Sequence, residues 1–235
     1  FYVATGNIEK REPFWVDRLD YAIQAAVDSD KEIVVNGQTI TLKADSRESL
    51  TRSFKAMRDL AKTGTRGDEE MRDEIDQLIG CLESGSSLKD VFEGDDWAGV
   101  MSWSDVQAAA NDEMISVGSH TVDHVRLGEV RDDRASSELS VSKSVIESKT
   151  GVECQHFCYP NGSYNQRTPA IARQLGYRSA VTVEAGLNKV GSDPMTLRRI
   201  HLPDTEDELQ ILYVASGLSD AIDGIQKALS RRRRG

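Results

Sequence analysis

From about residue 100 onward the chain alternates short β-rich runs with longer helical ones, a rhythm that restricts it to folds built on a mostly parallel sheet or barrel. Ser102 or Ser104 is placed to cap a helix reaching about Asn111, and Met114 to Val117 reads as a strand ended by Gly118. Residues 131–150 read as an amphipathic helix stopped by Gly151, and His156 to Tyr159 as the next strand. Thr168-Pro169 supplies an N-cap with proline in the first turn of a helix that stops at Gly176. Ser179 to Val183 and Thr196 to Leu202 are predicted as further strands, and Ser219 to Ser230 as a last helix. In such folds the loops that follow the strands carry the chemistry.

The first hundred residues read differently. Phe1-Tyr-Val-Ala-Thr-Gly6, with no initiator Met, looks like a core strand and a turn, as expected of a chain that starts inside a longer protein. Phe14, Val16, Leu19, Ile23, Ala26 and Val27 have helical spacing over Pro13 to Ser29. Asn36-Gly37 between two β-rich runs signals a hairpin over 32–42. Residues 46–84 carry two apolar stripes, Phe54, Met57, Leu60, Ala61 and Met71, Ile75, Leu78, Ile79, Leu82, separated by Gly64 and Gly67. They predict two helices, and Gly85 to Gly99 a polar loop. The expected organisation is a partial barrel domain over 1–29 and 96–230, an insertion of hairpin plus helices over 30–95, and a basic tail over 231–235.

Charge narrows the function classes. The 235 residues carry a net charge of −10 although Arg231 to Arg234 are all positive. An acidic body is unsuited to gripping phosphates, so nucleic acid is not an expected partner. The Arg tail reads as a solvated end or a weak membrane-surface contact. No window approaches 18 consecutive apolar residues, so no transmembrane segment is expected. Three cysteines argue against a disulfide framework; with no secretion signal visible, a cytoplasmic or membrane-peripheral setting is the expectation.

Three clusters could do chemistry. Gly118-Ser-His120-Thr-Val-Asp-His124 puts two of the four histidines four residues apart after a strand and a glycine. Imidazoles so spaced suit zinc and similar divalent ions, the other reading being two surface histidines. His156-Phe-Cys-Tyr159-Pro160-Asn161-Gly162-Ser-Tyr164 ends a strand in a turn that either aims a backbone N–H into a pocket or is an ordinary β-turn. Cys154, His156 and Cys158 alternate along that strand, as a packed face or as metal donors. In Leu197-Arg-Arg199-Ile-His201-Leu-Pro-Asp204, His201 could act as an acid and Arg199 could orient a carboxylate or a sugar.

Taken in order, these clusters resemble the polysaccharide deacetylase family, carbohydrate esterase family four or the NodB-homology domain. Met101-Ser-Trp-Ser-Asp-Val-Gln through Met114-Ile-Ser-Val-Gly-Ser-His120-Thr-Val-Asp-His124 looks like the family's His-Ser/Thr-x-x-His segment. Phe157-Cys-Tyr-Pro-Asn-Gly-Ser-Tyr164 is similar to its Phe-Ala-Tyr-Pro-Asn/Tyr-Gly turn, and Gly176-Tyr177, Gly186-Leu-Asn188 and Leu197-Arg-Arg-Ile200 continue the pattern. The resemblance covers about residues 1–20 and 97–218. It implies an α/β fold, a distorted (β/α) barrel here lacking its first strand, and deacetylation of an N- or O-acetylated glycan or lipid-linked sugar. It also implies a divalent metal, usually zinc, on His120 and His124, the Asn161 N–H as oxyanion donor, and His201 as the general acid. Tyr159 and Tyr164 are the expected glycan contacts.

The chain departs from the family in two places. The Asp-Asp pair that supplies a metal ligand and the base is missing; Asp95-Asp96 and Asp132-Asp133 are poor substitutes by position. Cys158 stands where an arginine is usual, and Arg199 could compensate. Impaired hydrolysis is therefore the expectation for this chain. The competing reading is a barrel without catalysis that still grips glycans through Tyr159, Tyr164 and Trp103.

Overall fold

The computed structural model describes residues 1–25, 32–35, 38–41, 46–64, 67–82 and 99–218. Two sheets are present among them. Strands β1 (Tyr2–Val3), β4 (Gly118–Ser119), β5 (His156–Cys158), β6 (Ser179–Ala185) and β7 (Leu197–Arg199) form one parallel sheet in that order, and β2 (Glu32–Val35) pairs antiparallel with β3 (Gln38–Thr41). The parallel α/β architecture is the expected one, and among the described residues the sheet is open. The paired register sets Val3 beside Ser119, Ser119 beside Phe157 and Phe157 beside Ala180. The C-terminal ends of β1, β4 and β5 thus converge on one edge of the sheet, where a parallel fold places its ligands.

Eight helices are described: α1 (Thr5–Lys10), α2 (Trp15–Ala25), α3 (Arg47–Gly64), α4 (Asp68–Leu82), α5 (Trp103–Ala110), α6 (Asp132–Thr150), α7 (Thr168–Gln174) and α8 (Glu208–Ala215). Ser102 starts α5 with a capping box: its hydroxyl accepts from the Asp105 N–H at 3.2 Å, while the Asp105 carboxylate accepts from the Ser102 N–H at 2.7 Å. Helix α6 buries Ala135, Leu139, Ser142, Ile146 and Thr150, a helical stripe, and ends at Gly151 in the left-handed region with φ 74°.

Two apolar cores follow. Val3, Val106, Leu127, Leu139, Ile146, Phe157 and their neighbours pack around the five-stranded sheet. Ile33, Met57, Met71, Ile75, Leu78, Ile79 and Leu82 form the other with Trp15, Leu19, Ala22 and Ile23 of α2. Helix α2 therefore shares its core with the hairpin and the two helices after it. A parallel sheet packed only on its own helices would have left α2 on the barrel side.

Several elements differ from the sequence reading. The first strand stops at Val3 and α1 starts at Thr5. Residues 114–117 are not a strand: the Met114 N–H is taken by the Asp112 carboxylate and Ile115 bonds back to the Asp112 carbonyl, so this stretch is a turn and Met114 is exposed. The β pairing begins only at Gly118. The N-cap of α7 is Arg167 and not Thr168, and two residues before it the Asn165 side-chain oxygen accepts from the Arg167 and Thr168 N–H groups. The strand expected over 196–202 shortens to Leu197–Arg199 after a turn of 3-10 helix, and α8 was not anticipated. The expected last helix, the turn at Asn36-Gly37, the loop over 85–98 and the Arg tail lie outside the described residues.

Candidate metal and acetyl-group site

His120 directly follows β4 and stays in the sheet register, its N–H donating to the Val3 carbonyl at 2.8 Å. Its Nδ1 lies 2.6 Å from the Cys158 carbonyl at the end of β5. A carbonyl only accepts, so the proton sits on Nδ1 and the lone pair on Nε2. Such a backbone brace is the usual support of a metal-binding histidine. Burial, with the Arg199 charge adding to it, holds the His120 pKa below its ordinary value despite the opposing Cys158 contact.

His124 sits beside it, the ring centroids 4.7 Å apart and the planes at 69°. The Phe14 ring packs 4.7 Å away on His124. The Nδ1 of His124 is buried with no hydrogen-bond partner. Burial first, and the neighbouring His120 second, push its pKa down to about 3. Both imidazoles are thus neutral at pH 7, the protonation state a cation requires.

The loop that carries the pair is strained and heavily held. Thr121 has φ 70° and His124 φ 55°, a conformation that costs a β-branched residue most. From the β1 side, the Thr5 and Gly6 N–H groups donate to the Thr121 and Val122 carbonyls at 3.1 and 2.8 Å. Gly6 is required for that approach, because a Cβ there would lie 2.8 Å from both the Val122 carbonyl and the Asp123 carboxylate. From the opposite side, Glu138 of α6 accepts from the Val122 N–H at 2.8 Å and the Asp123 N–H at 3.0 Å, and its other oxygen pairs with Arg134 at 2.7 Å. Burial raises the Glu138 pKa against these donors.

The turn after β5 is tight. Asn161 has φ 54° and Gly162 φ 66°, and the Gly162 and Ser163 N–H groups donate to Tyr159 and Pro160 carbonyls. No described hydrogen bond uses the Asn161 N–H, three residues after Cys158, whose carbonyl braces His120. Arg199 reaches the same end of the sheet: its charge acts on His120, Cys158 and Tyr2, and its Nε is buried without a partner.

The other expected site residues fall elsewhere. Tyr159 is fully buried, donates its hydroxyl to the Met195 carbonyl at 2.9 Å and packs edge-on to Phe157, so it is a core residue without a face for a glycan. Tyr164 is half-buried and borders a cleft of about 390 Å³ with Glu184, Asn188 and Arg198. His201 is exposed beyond β7, and no described contact ties it to the pair. Trp103 donates to Glu9 at 2.7 Å and lies under Lys149, between α1 and α6. Cys154 and Cys158 are buried, and His156 bonds Ser179, so that strand face is packing. Asp132 and Asp133 pair with Arg167 and Arg131 at the start of α6, and Asp95-Asp96 lies outside the described residues.

Sequence reasoning missed Glu138, Phe14, Asp68 and Arg72. Glu138 had a signal: it is the charged residue within the apolar stripe of α6. The divalent cation that the resemblance implies fits two of the side chains present. Two neutral imidazoles 4.7 Å apart, one braced through Nδ1 and one with a buried unpartnered nitrogen, make a donor pair. Among the described residues no group of three or more His, Cys, Asp or Glu side chains completes a coordination set.

The polysaccharide deacetylase family model matches residues 90–180. The Bacillus subtilis (strain 168) protein YxkH, a polysaccharide deacetylase by name, is 31% identical over 88 residues, 37% of this chain and 32% of its own. The chain thus spans about a third of the length of that curated relative. Among solved structures, the Streptococcus pyogenes deacetylase PplD in complex with acetate is 23% identical over 53% of this chain and 54% of its own, with a TM-score of 0.47. The BpsB deacetylase domain of Bordetella bronchiseptica is 20% identical over 43% and 49%, with a TM-score of 0.40. The matched residues 90–180 hold the histidine pair and the Tyr159–Gly162 turn.

Proposed function

We propose that the chain is part of a hydrolase that removes acetyl groups from an acetylated glycan, with His120 and His124 holding a divalent cation, zinc by preference for paired imidazoles. The observation that carries this reading is the pair itself, neutral, half-buried and with ring centroids 4.7 Å apart at the C-terminal edge of a parallel sheet. When bound, the cation supplies Lewis-acid polarisation of the acetyl carbonyl. The Cys158 carbonyl keeps the Nε2 lone pair of His120 free for it. The Asn161 N–H offers a hydrogen bond to negative charge developing on the carbonyl oxygen. Arg199 adds a fixed positive charge at that edge, and Tyr164 lines the cleft suited to a sugar. His201 has no place in this reading, being exposed and untied to the pair.

The absence of a third ligand among the described residues favours a second reading, a glycan-binding domain without catalysis. Acetate release from an N-acetylated oligosaccharide, measured on a protein carrying this region, separates the two. Hydrolysis is expected to fall more than about a hundredfold in His120→Ala and in His124→Ala. Unchanged rates in either variant would sink the enzyme reading, and glycan binding with no acetate from the parent would support the second. No helix of the described residues is long and apolar enough to cross a membrane. A surface contact through residues 231–235 remains part of the proposal, to be read as salt-sensitive vesicle binding.

A further inference from the structure

We infer that helix α4 is a positioning element for His124, acting through Asp68 and Arg72, and this rests on the reading of His124 as a cation ligand. The planar guanidinium of Arg72 spans two partners: its Nε donates to Asp68 at 2.6 Å, and a terminal nitrogen donates to the His124 carbonyl at 2.6 Å. Asp68 is 1% exposed, and its second oxygen accepts from the Arg126 N–H at 3.1 Å and the Arg126 Nε at 3.0 Å. One carboxylate and one guanidinium of α4 therefore fasten the backbone on both sides of Val125. Burial alone would raise the Asp68 pKa, but Arg72 and Arg126 outweigh it and hold the group ionised.

A second contact reaches the same histidine from the same block. Helix α4 buries Met71, Ile75, Leu78 and Ile79 in one core with Leu19 and Ile23 of α2, and Phe14, just before α2, packs on the His124 ring. The block thus holds the carbonyl of His124 by a charged hydrogen bond and its ring by an aromatic face. A histidine at φ 55° persists only where its surroundings over-determine it, and these contacts do so on the side that Glu138 does not reach. Hairpin, α3 and α4 thus form a scaffold for the histidine loop. Arg72 and Asp68 are positioning residues, since neither needs to touch substrate.

Arg72→Lys and Asp68→Asn in the full chain test this, with Arg52→Ala, at an exposed position of α3, as control. Lysine keeps the charge but has no fork to bridge Asp68 and His124. In the metal-free chain, both variants are expected to shift the His124 ring resonances and to speed amide exchange at residues 122–126 at least about tenfold, leaving β5 and β6 protected. Zinc affinity, by titration calorimetry, is expected to fall about ten- to a hundredfold. Wild-type resonances and exchange in both variants would overturn the clamp, as would protection lost over the whole chain rather than first at 122–126. Zinc that leaves both wild-type imidazoles unmoved would defeat the cation reading alone, because the metal-free exchange still decides the clamp.

Discussion

Replacing Glu138 with alanine is expected to destabilise the protein by about 3–5 kcal/mol, the cost of removing one partner from a buried charged network. The carboxylate is 2% exposed and satisfies the Val122 and Asp123 N–H groups and Arg134 at once. Without it, two backbone donors in a strained loop lose their acceptor. Glu138→Gln keeps an amide oxygen where both N–H groups point and gives up only the Arg134 pair, so its cost should be about 1–2 kcal/mol. Urea unfolding of the two variants checks this, with the m-value unchanged if the fold is intact. Equal losses in both would show that the charge on Glu138, rather than its acceptor oxygen, holds the loop.

Acid is expected to weaken the metal-free chain through His124. Its folded pKa, about 3, lies below the ordinary histidine value of about 6.5, so the unfolded chain binds the extra proton first as pH falls. Stability rises with pH wherever the unfolded state holds more protons. The His124 contribution is therefore nil above about pH 7 and increasingly unfavourable from about 6.5 down toward 3, amounting to roughly 2–3 kcal/mol by pH 4.5. His124→Gln, which cannot titrate, should flatten the stability curve over that range relative to the parent. Chemical unfolding at pH 7 and pH 4.5 with a chelator present measures the difference, and parallel curves for the two proteins would refute the burial of a neutral imidazole.

The features most legible in the sequence were those set by local chemistry. Ser102 with Asp105 three residues on, Gly151 after an apolar stripe, and the β-rich runs flanking Asn36-Gly37 each specify a cap, a stop or a hairpin from neighbouring residues alone. His120 and His124 were legible because four-residue spacing after a glycine is itself local. The misplaced strand at 114–117 shows the limit. Apolar Met114, Ile115 and Val117 look β-like, but strand pairing depends on what β1 and β5 offer, and they offer partners only from Gly118 onward. Tyr159 failed for a related reason: nothing local tells a buried tyrosine with a distant carbonyl partner from one facing a sugar. Asp68 and Arg72 lie more than 50 residues from the backbone they hold, so an i,i+4 acid and base on a charged helix read as an ordinary surface pair.

His120 and His124 are proposed to act together as a cation-binding pair. Zinc titration into the chain at pH 7, followed through the ring ¹⁵N resonances of both histidines, tests it most directly. One equivalent of zinc is expected to move Nε2 of His120 and a ring nitrogen of His124 together, and either alanine variant to abolish the paired shift. Zinc that moves neither ring, or that binds equally well to the His120→Ala, His124→Ala double variant, would contradict it.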